Sequence, residues 1–330
     1  MVNGTPGAWF SVDQGVYRFR LLNGSNARVM NVGFDDNRSF QLIGTDGGLL
    51  PEALEVSSAM IAPGQRLDIL VDFSDLSVGQ SLELRSFRFA SDGGGMHSGG
   101  VPQGSEMALL RIYVDRPSGH EMTLPSTLIP FKSWREEDAH RTRQFTLSFA
   151  RMRHYINGRL FSIDRSDFQV TQGDLEIWEY RNVTNVYHPM HIHGVHFQVL
   201  ERSRRTSLDS EDHGWKDTVL VHPNETVRVL VRFEAHDGLF LHHCHNLAHE
   251  DAGMMQNFTV EDAPDTRLEI EHAEERAVMS WEVDAGKYRL EVSEDLRSGS
   301  WLPVQETPEI VDARYVVSIP TYGKEFFRLV

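Results

Sequence analysis

His243-Cys244-His245-Asn246-Leu247-Ala248-His249-Glu250-Asp251-Ala252-Gly253-Met254 contains the only cysteine of the chain, with a histidine on each side, a third histidine beyond and a methionine at the end. Upstream, His188-Pro189-Met190-His191-Ile192-His193-Gly194 supplies three more imidazoles. Read as strands, the two stretches sort their side chains by alternation, so that Cys244 points one way while His243 and His245 point the other. His191 and His193 likewise share a face, and the thiol stands back to back with a four-histidine cluster. Pro189 fixes its own backbone and restricts the residue before it, which offers His188 a way to turn toward the cysteine side. The strand reading thus points to an all-β fold holding two groups of ligands.

One thiolate, two imidazoles and a weak axial thioether form the blue-copper arrangement, which moves single electrons. The residues that fit it are His188, Cys244, His249 and Met254. A structural zinc site is the nearest competitor, but such sites favour several cysteines or a compact tetrahedral set, and this chain has one thiol. Taken singly, a cysteine is most often a small buried hydrophobe and a histidine a satisfied polar group. Two H-x-H pairs around the only thiol outweigh those readings jointly, and copper is favoured by ligand softness.

The HPMHIHG and HCHNLAHEDAGM segments resemble the two C-terminal copper motifs of the multicopper oxidases, a family that includes laccases, bilirubin oxidases and bacterial cuprous oxidases. Position by position, the resemblance makes His188, Cys244, His249 and Met254 the type 1 copper ligands. It makes His191 a type 2 ligand, and His193, His243 and His245 ligands of the type 3 pair. It also implies a proton-relay role for Glu250. Asp217 is a candidate for orienting a ligand imidazole, with a turn-satisfying carboxylate as the equal alternative. The implied activity is one-electron oxidation of phenolic or metal-ion reductants, coupled to reduction of molecular oxygen to water. No methionine-rich insertion is present, which weighs against dedicated cuprous oxidation.

The implied architecture is a tandem of cupredoxin-like Greek-key β-sandwiches. Val16–Gly24, Phe40–Ile43, Leu67–Phe73 and Ala108–Val114 read as alternating strands of a first domain over residues 1–118, similar to the middle domain of a three-domain oxidase. Ser91–Gly104, with six glycines and a proline in fourteen residues, reads as a mobile loop. Residues 119–139 read as a linker whose Arg135-Glu136-Glu137-Asp138 run is a solvated face. Residues 140–262 form the copper-binding domain, opening with Gln144–Phe149 and an Ile156-Asn157-Gly158 hairpin signal. Its further strands are Leu175–Tyr180, Trp215–Val219 and Val227–Phe233. Residues 263–330 alternate apolar and polar residues around Met279, Trp281, Leu290, Val317 and Phe327, and resemble a small fibronectin-like β-sandwich.

In the family, two further H-x-H pairs from a first cupredoxin domain complete the cluster. The remaining histidines of this chain, at positions 97, 120, 140, 154, 196, 213, 222, 236, 242 and 272, offer no such pairs. The chain is therefore expected to be an N-terminally incomplete form of a three-domain enzyme. A type 1 copper electron-transfer or copper-binding protein without oxidase activity is the alternative.

Composition excludes other classes. A net charge of −16 argues against nucleic acid, whose phosphates need a basic surface, and favours neutral or cationic reductants. No run of eighteen apolar residues offers a membrane span. The N-terminus lacks the basic and apolar regions of a signal peptide, although the resemblance implies a periplasmic or secreted full-length protein.

Overall fold

The structure is a computed structural model that describes residues 1–90, 101–117, 122–262, 268–273, 276–282, 288–295, 297, 300–320 and 325–330. Ser91–Gly100 of the glycine-rich stretch, with His97, and His120 lie outside the described residues.

Residues 1–260 form one compact unit built from two sandwiches. In the first, a five-stranded sheet orders Trp9–Asp13, Met107–Arg116, Ser81–Ser86, Met30–Phe34 and Ser58–Ile61, and it faces a four-stranded sheet of Val16–Leu22, Arg66–Asp72, Phe40–Thr45 and Gly48–Val56. Alternation along these strands delivers Val32, Phe34, Leu42, Ile69, Val71 and Ile112 to a common core. Trp9–Asp13 pairs in parallel with Met107–Arg116, so the ends of the segment meet at one edge.

The second sandwich repeats the plan. One sheet orders Arg153–Ile156, Arg141–Ala150, Leu175–Asn182, Thr226–Arg232 and Phe197–Arg202, and the other Ser166–Thr171, Met255–Glu261, Gly238–Cys244, His188–Ile192 and Thr218–Val221. Arg141–Ala150 runs parallel to Leu175–Asn182, a parallel pair inside an otherwise antiparallel sheet whose edge strand is Arg153–Ile156. The core is aromatic: Phe145, Trp178, Tyr180, Phe233 and Phe258 are fully or almost fully buried. Asn157-Gly158 forms a tight turn with both residues at positive φ, 52° and 70°. The preceding hairpin turns at Arg151-Met152, also at positive φ, without any glycine or asparagine to announce it.

The seam between the sandwiches is polar and buried. Lys216 Nζ lies 2.8 Å from Asp46 Oδ2, with both side chains fully out of solvent. Arg66 bridges across to Asp217, Gln65 Nε2 donates to the Thr218 carbonyl, and Gly47 N donates to the Trp215 carbonyl. Of the linker, Trp134 packs edge-on against Trp215 at 4.8 Å between ring centroids. In the charged run Arg135 pairs with Asp138 and Glu136 with Arg228, both on exposed surface.

Residues 261–330 form the second compact unit. Glu269–Ala273, Arg276–Glu282, Arg314–Pro320 and Glu309–Val311 make one sheet, and Leu302–Pro303, Leu290–Ser293 and Phe326–Leu329 another. Met279, Trp281, Leu290, Val317 and Ile319 fill the space between them.

Candidate metal centre

The strands His188–Ile192 and Gly238–Cys244 are antiparallel neighbours, with Met190 opposite Cys244 and His191 opposite His243. This register places the two motifs side by side in one sheet. Alternation then does the sorting: His188, Met190 and Ile192 are all fully buried on the core side with Cys244, while His191 and His193 face out. His188 therefore reaches the thiol by ordinary strand parity. The turn that Pro189 was expected to offer His188 is not used, because the strand runs unbroken through the proline and pairs with Thr218–Val221.

Around Cys244 the donors converge. His188 Nδ1 and His249 Nδ1 each lie 3.5 Å from Sγ. The other nitrogen of His188 is taken by the Thr184 hydroxyl at 3.0 Å from Nε2, so the ring is oriented with Nδ1 toward the sulfur. His249 returns to the thiol because the chain after Cys244 coils into the short helix Leu247–Asp251, capped by the Asn246 side chain accepting from Ala248 N. Gly253, at φ 95°, turns the chain again. Met254 N then donates to the His249 carbonyl, and Cys244 N to the Met254 carbonyl, which seats the buried Met254 against the site. Burial pushes the Cys244 thiol up to about 12 and, with His249 and His154 nearby, holds the His188 imidazole well below its usual range. The pocket thus keeps a protonated thiol beside the neutral His188 imidazole until a metal displaces the proton.

On the opposite face four imidazoles gather. Ring centroids of His191 lie 4.9 Å from His193, 5.4 Å from His243 and 5.7 Å from His245, and His243 lies 5.5 Å from His245. His193 Nε2 and His243 Nε2 face each other at 3.1 Å. His191 donates from Nδ1 to the Asp217 carbonyl at 2.8 Å, leaving Nε2 bare. The Asp217 carboxylate itself is 3.7 Å from that Nδ1 and is bound by Arg66, so the close orienting contact comes from the backbone oxygen. Burial lowers His191 and His193, and takes His243 down to about 3. Glu250 Oε2 stands 4.0 Å from His243 Nδ1, and that nitrogen is 3.2 Å from the Cys244 carbonyl. His245 is touched from the first sandwich, where Gly64 sits so close that a Cβ would come within 2.5 Å of the ring.

The donor sets fit copper. A lone thiol with two Nδ1 donors and a buried thioether suits a mononuclear electron-transfer site, and four imidazoles gathered on the opposite face suit a histidine cluster. Besides Thr184 and Gly64, His154 escaped the sequence reading: it stacks on His249 with ring centroids 3.7 Å apart. Nothing around it in the sequence is a metal ligand, so only the tertiary fold brings it there.

Comparison with known proteins agrees with this geometry. Multicopper oxidase family profiles match residues 2–80 and 133–264. The laccase of Bacillus subtilis is 31% identical over 285 residues, spanning 79% of this chain and 54% of its own length. The bilirubin oxidase of Albifimbria verrucaria is 32% identical over 80% of this chain and 48% of its own length. A variant of the multicopper oxidase McoA from the hyperthermophile Aquifex aeolicus superposes with a TM-score of 0.73 at 39% identity, over 79% of this chain and 59% of that one. The chain spans about half the length of the curated relatives it matches.

Proposed function

The chain belongs to the multicopper oxidase family, and we propose that it carries the electron-entry site and half of the oxygen-reducing site of a laccase-like copper oxidase. The observation that supports this best is the position of Cys244. Its side chain meets His188 and His249 on one face of the sheet, while its immediate neighbours His243 and His245 join His191 and His193 on the other.

In this reading His188, Cys244, His249 and Met254 hold type 1 copper, His191 holds type 2 copper, and His193, His243 and His245 hold the type 3 pair. Copper, when bound, supplies one-electron oxidation of the reductant at the first site and reduction of oxygen at the cluster. The protein does the rest. Cys244 and its two peptide bonds form the shortest covalent route between the two sites. Thr184 and the Asp217 carbonyl fix the tautomers of His188 and His191. Met254 closes the buried side against water. Glu250, partly exposed and 4.0 Å from His243, is placed to hold a proton between solvent and cluster.

The reductant is a phenol or a metal ion, and the acceptor is molecular oxygen. The four further imidazoles that a complete cluster needs come, in this proposal, from a cupredoxin domain outside this sequence. The full-length protein is exported to the periplasm or beyond. No helix among the described residues is long and apolar enough to cross a membrane.

The test loads the purified protein with copper and records thiolate-to-copper absorption, bound copper per chain and oxygen uptake with a phenol. Blue absorption that vanishes in Cys244→Ser supports the electron-entry site, and its absence from the native protein overturns it. Oxygen uptake should appear only when a chain supplying the missing imidazoles is added. Uptake by this chain alone would refute the half-cluster.

A further inference from the structure

We propose that His154 is a positioning residue of the mononuclear site, whose imidazole stacks on His249, shields that ligand from water and thereby raises the reduction potential of the copper held there. The inference rests on the assignment of His249 as a ligand.

His154 reaches the site from the strand Arg153–Ile156, which folds back on Arg141–Ala150 in the register Phe149 opposite His154. The hairpin is closed by Arg151 and Met152 at φ 49° and 62°, a tight turn that side chains other than glycine rarely adopt. A strained turn fixes how far the strand reaches over the copper site. The ring lies parallel to His249, 3.7 Å between centroids with a 28° tilt, and meets His188 edge-on at 5.4 Å. It also contacts Phe149 at 4.7 Å between ring centroids, and Phe149 is about half exposed. A column of three rings, Phe149, His154 and His249, therefore runs from the surface to the thiol.

Hydrogen bonding does not explain this placement. His154 Nδ1 is buried and has no hydrogen-bond partner among the described residues. Ring contact is what holds it. Nor does the arrangement suit a fourth imidazole ligand, although the nitrogens of His154, His188 and His249 lie within 4.8 Å of one another. Stacked rings hold their in-plane lone pairs in separate, near-parallel planes, 3.7 Å apart between centroids, whereas ligands of one ion must aim at one point.

The consequence is electrostatic. Oxidised copper carries one more positive charge than reduced copper, and the surroundings of a ligand control which state is favoured. Covering His249 with an apolar ring face removes water that would stabilise the higher charge, so the reduced state gains.

The experiment compares copper-loaded native protein with His154→Ala and His154→Phe, reading the reduction potential by mediator titration of the thiolate-to-copper band, and the band position itself. In His154→Ala the equilibrium should shift toward the oxidised state by roughly tenfold and the band should move, while His154→Phe, which keeps a stacking face, stays close to native. An unchanged potential and band in a fully loaded, folded His154→Ala overturns the proposal. So does a His154→Phe variant as perturbed as His154→Ala, since that result would make the imidazole nitrogen, not the stack, responsible. Failure of the underlying ligand assignment shows differently: His249→Ala would then keep the native band.

Discussion

Arg66 of the first sandwich grips Asp217 of the second in a paired contact, Nη1 to Oδ1 at 2.8 Å and Nη2 to Oδ2 at 2.6 Å. The same guanidinium donates to the Asp46 and Gly64 carbonyls, and the Asp217 backbone oxygen accepts from the cluster histidine His191. A residue of the first sandwich thus fixes, through Asp217, a ring of the histidine cluster in its neighbour. The contact is charge-assisted and bidentate, which gives it geometric definition beyond its energy.

Arg66→Leu should loosen His191 without unfolding the protein. Nitrogen-detected NMR of the native protein is expected to show the His191 ring in a single tautomer, protonated at Nδ1. In the variant the two tautomers should average and the resonances broaden. Unchanged His191 signals would show that the Asp217 carbonyl holds the ring unaided.

Beside this contact, Lys216 and Asp46 are fully buried together. Removing one partner leaves an uncompensated buried charge, which costs about 3–5 kcal/mol. Lys216→Met should therefore lower the denaturation midpoint of the unit formed by residues 1–260 sharply, and Lys216→Met with Asp46→Asn should recover most of the loss. A double variant no more stable than the single one would mean that the ion pair matters through packing and not through charge.

Gly64→Ala strikes the same seam from another direction. The residue has φ 84°, and a Cβ would come within 2.5 Å of His245 Cδ2. The strain of a non-glycine residue there is about 1–3 kcal/mol, and the collision displaces a cluster imidazole. Copper titration should show weakened binding at the histidine cluster with the thiolate-to-copper band intact. Loss of that band as well would indicate general unfolding in place of local displacement.

How far the sequence revealed the site depends on what kind of contact holds each residue. Alternation along two strands was enough to separate Cys244 from His243 and His245, because it depends on backbone geometry alone. The same parity accounts for His188, yet the intervening proline suggested a special turn where the strand in fact continues. Asp217 drew attention as a carboxylate, but the atom on His191 is its carbonyl, and a backbone contact leaves no mark on residue identity. Arg66, Gly64 and Thr184 carried no signal, since they act across a seam or a loop that only the folded chain creates. His154 is the extreme case, brought to His249 by a hairpin whose turn residues, Arg151 and Met152, have no turn signature.

Thr184→Val removes the hydroxyl that meets His188 Nε2 at 3.0 Å and changes little in volume. Without it the ring is free to flip or change tautomer, turning Nδ1 away from Cys244. Copper affinity at the mononuclear site should drop by roughly 10–100-fold, measured by competition with a chelator. Thr184→Ser, which keeps the hydroxyl, should bind like the native protein; equal loss in both variants would assign the effect to packing.

Acid and alkali should destabilise the metal-free protein by separate routes. His242 and His243 are each held down to about 3 by burial, whereas in the unfolded chain they titrate near 6.5. The unfolded state therefore takes up protons that the folded state refuses, so their contribution to stability is complete above pH ~6.5 and is lost as pH falls toward 3. Cys244 behaves in the opposite sense. Its thiol is raised from 9.0 to about 12 in the folded protein, so its contribution is complete below pH ~9 and is lost as pH rises toward 12. Urea midpoints of the metal-free protein should form a plateau between these limits. His242→Phe, which fills a cage of Phe145, Phe168, Trp178 and Phe258 with one more apolar ring, should shallow the acid slope by close to one proton. Copper bound to the thiolate should abolish the alkaline slope, because the proton is then gone from Cys244 in the folded state at every pH tested. An alkaline slope that survives copper loading would place the metal elsewhere than on the thiol.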